Sequence, residues 1–139
     1  MVSLSIIKTK IARIENSLSR LKEKQRVSFD EFKKDIDLQD IVLHNLQLAI
    51  QGCVDMASHI ISDAGWAVPA TLAELFDVLA EHKIISRELG EKLSKMAGFR
   101  NIIIHEYETI DFKKVYTILT KDREDIYLFL REIYVYAKL

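Results

Sequence analysis

Ile7, Ile11, Ile14, Leu18 and Leu21 recur at alternating steps of four and three. That spacing puts them on one narrow stripe of a helix over Ser3 to about Arg26, with Lys8, Lys10, Arg13, Glu15, Arg20 and Lys22 spread over the rest. Such a helix leans one edge on a bundle, and its stripe is too short for a sustained coiled coil. A break follows at Arg26–Asp30. Ser28, with Glu31 three residues later, has capping-box spacing, so a second helix is expected from there to about Ser62. Its apolar arc is broad (Leu38, Val42, Leu46, Ala49, Cys53, Met56, Ala57, Ile60), as befits the middle of a bundle. Asp40, His44, Gln47, Gln51 and Ser58 form a polar stripe on it, beside a row of Asn45, Gly52 and His59. Gly52 lowers helix stability, which points to a close approach by another element.

Gly65 and Pro69 mark a loop. Thr71 with Glu74 then opens a short helix to about Glu81, with Leu72, Leu75, Phe76 and Leu79 turned inward. Ser86 caps a helix running to His105 or Glu106, whose apolar edge is Leu89, Leu93, Met96 and Ala97. Thr109-Ile110-Asp111 breaks the chain, and Asp111 caps a last helix, with an irregularity expected around Thr120–Asp122. That last segment is apolar at Val115, Ile118, Leu119, Ile126, Leu128, Phe129, Leu130, Ile133 and Val135. So much apolar surface suggests a second buried face, a subunit interface.

The expected fold is all-α: residues 1–139 as a single domain, an up-and-down bundle of about five helices. The 139-residue length fits one domain. With 49% hydrophobic and 29% charged residues, disorder is excluded, and 4 Gly and 1 Pro are too few for an all-β sandwich. The net charge of -1 gives no global attraction to nucleic acid, so any such contact must come from a local patch. The single cysteine, Cys53, forms no internal disulfide, fits a reducing cytoplasm and lies in the apolar arc as inert core. Met1–Lys10 lacks the pattern of a signal peptide, and no apolar run approaches the ~18 residues of a membrane span.

His44, His59, His82 and His105 show no zinc-helix pairing, so no metal site is expected, and His59 and His82 are given structural roles. Glycine-rich phosphate loops are absent too. What remains is the run Gly98-Phe99-Arg100-Asn101-Ile102-Ile103-Ile104-His105-Glu106-Tyr107. Arg100 and His105 lie about 140° apart in helical projection, Asn101 and His105 share a face, and Arg100 and Tyr107 share one if the helix persists. In the last turn of the helix, the backbone can bend the imidazole toward Arg100. An ordinary account also exists: a solvated arginine, a histidine complementing the helix dipole and a core tyrosine.

The segment Met96–Tyr107 resembles the signature of the HEPN superfamily, in its HepT-like branch: Arg, usually Asn, three further residues, His, one residue, Tyr. Leu38-Gln39-Asp40, Asn45–Gln51 and Val54-Asp55 are also similar, so the likeness covers nearly the whole chain. The resemblance implies the toxin half of a toxin–antitoxin pair whose partner is a minimal nucleotidyltransferase. It implies a metal-independent ribonuclease without cofactor, acting on RNA as a homodimer with two motifs facing across the subunit boundary. Arg100 and His105 become the candidate catalytic residues, Asn101 a supporting one and Tyr107 the tyrosine that the partner modifies with AMP. The chemistry is coherent without a metal, because RNA carries its own nucleophile, the 2′-hydroxyl. Histidine suits either proton transfer near neutrality, and an arginine fork suits phosphoryl oxygens. Lys92, Lys95, Lys113 and Lys114 are candidates for the local phosphate-attracting patch, and the Asp40/His44/Gln47/Gln51 stripe borders an RNA groove or simply faces solvent. Two readings compete with the enzyme: a non-catalytic helical protein that binds a nucleotide or the nucleotidyltransferase, and a purely structural helical module.

Overall fold

The computed structural model describes residues 3–139, and of Tyr107 the backbone alone. Every regular element among the described residues is helical. Helix α1 (Leu4–Lys24) starts on Ser3, whose side chain accepts from Ile6 N, and buries Ile7, Ile11, Ile14, Leu18 and Leu21 as one edge. Ser28 caps α2 (Phe29–Lys34): its Oγ accepts from Glu31 N at 3.2 Å and donates to Glu31 Oε1 at 3.0 Å.

The expected continuous helix from Ser28 to Ser62 is in fact two. Asp35 is extended (φ -103°, ψ 97°), and its Oδ1 accepts from Leu38 N at 3.0 Å, which caps α3 (Ile36–Ala64) afresh. Gln39 Nε2 reaches back to donate to Phe32 O and Lys33 O at 3.0 and 2.9 Å, satisfying carbonyls left at the end of α2. The break lets α2 turn Phe32 into the core, where its ring meets Phe112 and Tyr116.

Helix α3 is the central element and packs against α1, α2, the later helices α4 (Glu74–Glu81) and α5 (Arg87–His105), and α7 (Arg123–Ala137). At Gly52 the Ile14 side chain of α1 leaves no room for a side chain: a Cβ there would lie 2.4 Å from Ile14 Cγ1. Gly65 ends α3 in the left-handed region (φ 74°), with Gly65 N bonded to Ser62 O and Trp66 N to Ile61 O, a Schellman closure. Thr71 Oγ1 accepts from Glu74 N at 3.4 Å, but α4 begins only at Glu74. Leu72 therefore precedes the helix and is exposed rather than inward, whereas Leu75, Phe76 and Leu79 are buried. Ser86 caps α5 through Leu89 N.

After α5, a 3-10 turn (Tyr107–Thr109) leads to Asp111, whose carboxylate caps α6 (Phe112–Thr117). A π-helical turn (Ile118–Asp122) joins α6 to α7, at the irregularity expected near Thr120–Asp122. The apolar surplus of this last segment is mostly not surplus. Val115, Ile118, Leu119, Ile126, Phe129, Leu130 and Ile133 are all buried in the one core, because their spacing makes one stripe; Leu128 and Val135, seven apart, look outward, as do Tyr134 and Leu139. The segment therefore does not by itself call for a second buried face. Among the described residues no helix is long and apolar enough to cross a membrane.

Candidate functional site

The motif occupies the last two turns of α5 and the turn beyond it. Phe99 and Ile103 point into the core and anchor this end of the helix. Arg100 is half-buried. Its Nη1 donates to Asn101 Oδ1 at 3.2 Å, and its Nε is buried with no partner among the described residues. His105 is the last residue of α5 and exposed, as is Asn101. Glu106 N bonds to Ile102 O at 2.9 Å and closes the helix; Thr109 N and Oγ1 both donate to Glu106 O, which fixes the 3-10 turn.

These facts decide two points that the sequence left conditional. The helix does not persist past His105, so Tyr107 has no helical register with Arg100; its side chain lies outside the described residues. Nor does the backbone bend the imidazole onto the guanidinium. His105 remains helical, about 7.5 Å along the axis from Arg100 and about 140° round it, and among the described residues no hydrogen bond joins the two. What the structure brings together is Arg100 with Asn101. Since Asn101 shares a face with His105, this bond draws the guanidinium toward the imidazole's side of α5.

The four lysines singled out from the sequence all line one groove of about 870 Å³, between α5 and the α6–π–α7 segment, over a floor that includes Met96, Phe99, Ile102 and Ile118. Asp111, Asp122 and Asp125 share this groove and carried no sequence signal as a set. Burial pushes the Asp125 carboxyl above its ordinary value, against the opposing pull of Lys92, whose Nζ lies 3.7 Å from Asp125 Oδ1. On α3, Asp40 and His44 are exposed and line a second depression with Asn16, Arg20, Ile41, Asn45 and Leu48. Gln51 Nε2 donates to Asp55 Oδ1 at 2.7 Å.

The remaining candidates have structural settings. His82 stacks on Trp66 with ring centroids 3.6 Å apart, and His59 is half-buried. Cys53 is fully buried, and burial pushes its thiol far above the ordinary value, which removes its nucleophilic character. Among the described residues no group of three or more His, Cys, Asp or Glu is arranged to hold a metal ion.

An all-helical bundle with Arg-Asn-x-x-x-His-x-Tyr closing its fifth helix defines a HEPN-type protein. Residues 14–133 match the family described as Ribonuclease HepT-like, and the chain belongs to that family. It is 35% identical over 127 residues to the mRNA nuclease HepT of Shewanella oneidensis, covering 90% of this chain and 93% of that one. It is 30% identical over 131 residues to the tRNA nuclease HepT of Aphanizomenon flos-aquae, covering 94% and 89%. Among solved structures, it is similar to the tri-AMPylated Shewanella oneidensis HEPN toxin in complex with MNT antitoxin: TM-score 0.88, 32% identity, 96% of this chain and 99% of that one.

Proposed function

We propose that this protein is a metal-independent ribonuclease toxin of a toxin–antitoxin pair, with Arg100 and His105 as its catalytic residues, acting as a single-domain homodimer in the cytoplasm. The relatives it matches are named as nucleases of two different RNAs, so the substrate is stated as RNA. The observation that carries this reading is the placement of the motif at an open helix end. There an exposed imidazole stands beyond a guanidinium tethered by Asn101.

In the reaction, a histidine removes the proton of the 2′-hydroxyl, whose oxygen attacks the adjacent phosphorus. The bond to the 5′-oxygen breaks, a second histidine gives that oxygen a proton, and a 2′,3′-cyclic phosphate is left. Arg100 donates to the phosphoryl oxygens as charge builds on them. One chain has a single motif histidine, and it stands apart from Arg100. Two chains supply both the base and the acid, which is why the site straddles the dimer boundary. Ile41 and Leu48, seven apart on α3, flank His44 and are 40% and 48% exposed; Ile104, four residues beyond Arg100, is 36% exposed. We assign these apolar positions to the dimer face. The buried reduced thiol of Cys53 is compatible with a cytoplasmic setting.

The partner is a minimal nucleotidyltransferase that silences the toxin by transferring AMP to Tyr107. A phosphate beside the motif adds negative charge where the substrate phosphate binds and fills that space. The HEPN toxin matched above is tri-AMPylated and bound to an MNT antitoxin.

The test is incubation of wild type and His105→Ala with total RNA in chelator, with the product ends analysed. Cyclic-phosphate ends from wild type, and a loss of about 10²–10⁴-fold in the variant, are expected. Full cleavage by a clean preparation of the variant overturns the assignment. RNA bound but left intact by wild type identifies a non-catalytic phosphate-binding protein instead.

A further inference from the structure

The groove between α5 and the α6–π–α7 segment is not part of the Arg100–His105 assignment, and its charges are unevenly committed. Lys92 is occupied: its Nζ lies 3.5 Å from Glu88 Oε1 and 3.7 Å from Asp125 Oδ1. Among the described residues Lys95, Lys113 and Lys114 have no such partner; each is exposed, and each lines the groove without a described carboxylate within ion-pair distance. Of the three groove carboxylates, Asp111 already accepts from Lys113 N as the cap of α6, and Asp125 faces Lys92.

These groups are ordered along the groove. The Lys92–Asp125 contact joins the first half of α5 to α7, whereas the chain passes from His105 to Asp111 in only six residues, so Lys113 and Lys114 lie toward the C-terminal end of α5. The segment therefore runs antiparallel to α5. The end with Asp122 and Asp125 is the far one; Lys113 and Lys114 lie toward the motif, and Lys95, one turn on from Lys92, lies between the two ends. The floor between them is apolar: Met96, Phe99, Ile102 and Ile118.

We propose that this groove is the path of single-stranded RNA into the active site, with Lys95, Lys113 and Lys114 neutralising backbone phosphates and the apolar floor receiving a base. The inference rests on the ribonuclease reading and adds to it the route of the substrate. Cationic rims over an apolar floor are the general design of a single-strand groove, since phosphates and base faces need opposite surroundings. Lys113 and Lys114 at the motif end, against Asp122 and Asp125 at the far end, supply the direction. The groove also reconciles RNA binding with a chain whose net charge is -1.

The experiment measures binding of a labelled single-stranded RNA oligonucleotide against salt, in a His105→Ala background so that the RNA stays intact, with cleavage of total RNA by the otherwise wild-type protein run in parallel. Each phosphate contact contributes about 0.7 to the slope of log K against log salt for single strands. The Lys95→Ala/Lys113→Ala/Lys114→Ala variant is expected to lower that slope by about 2. Lys92→Ala is expected to leave it nearly unchanged. The proposal is overturned if the triple variant keeps the wild-type slope while the parental protein still cleaves RNA, a result that leaves the nuclease assignment standing. It is also overturned if the triple variant keeps its RNA affinity and instead loses the nucleotidyltransferase or falls apart into monomers, because the groove is then a protein-docking surface. Absence of both binding and cleavage in the parental protein counts against the ribonuclease reading itself.

Discussion

Arg100 and Asn101 are neighbours in α5 and are hydrogen-bonded through Nη1 and Oδ1 at 3.2 Å. Adjacent helical residues project about 100° apart and do not normally face each other. The guanidinium therefore lies across the helix surface toward the face that carries His105. On the proposed function, Asn101 acts as a positioning residue that sets where the cation points.

Removing this tether has a bounded effect. An exposed neutral-to-charged hydrogen bond is worth about 1.5 kcal/mol, or about tenfold. Asn101→Ala is expected to lower kcat by no more than about tenfold, with binding of intact RNA little changed. Arg100→Lys loses the planar fork and is expected to lose more than Asn101→Ala. Single-turnover cleavage rates and oligonucleotide binding separate the two effects; an Asn101→Ala loss seen only in binding refutes the positioning role.

Gly52 has a packing role that alanine cannot fill. A Cβ would meet Ile14 Cγ1 at 2.4 Å, and Ile14 is fully buried. Alanine gains about 1 kcal/mol of helix propensity, but overpacking costs about 1–3 kcal/mol. Gly52→Ala is expected to lower the thermal midpoint. Adding Ile14→Ala removes the obstructing carbon, so the double variant is expected to be less destabilised than the sum of the singles, as chemical denaturation would show.

Asp125 gives the fold a defined pH dependence. Burial raises its carboxyl pKa in the folded state, so the folded protein holds that proton more tightly than the unfolded chain. Its favourable contribution is present below the unfolded carboxylate pKa and is lost as pH rises through the folded value. Asp125→Asn is expected to raise the thermal midpoint at pH 7, with the gain shrinking as pH falls through the carboxylate range. A gain that grows on acidification contradicts this account.

Tyr116 ties α6 to the turn between α1 and α2: its hydroxyl donates to Val27 O at 2.7 Å, and Arg123 donates to Gln25 in the same turn. Tyr116→Phe leaves Val27 O without that donor and is expected to cost about 1 kcal/mol in denaturant unfolding.

Several helices follow from local signals along the chain. Ser28, Ser86 and Asp111 cap where their spacing says they should, and the stripe of α1 is buried as its period requires. Local hydrogen-bonding and the 3.6-residue period need nothing from the rest of the chain. The motif was legible for the same reason, being a contiguous run. Tertiary structure decided the rest. Asp35 ends one helix and starts another because Phe32 gains a place between Phe112 and Tyr116, a contact some eighty residues away in sequence. The last segment's apolar positions share one core rather than two faces because the stripe of α7 continues that of α6. Four lysines scattered over Lys92–Lys114 became one groove only when α6 folded back along α5, and which of them stay free was settled by the distance from Lys92 to Asp125. Charge pairing across elements depends on where the chain returns in space, and no local pattern encodes that.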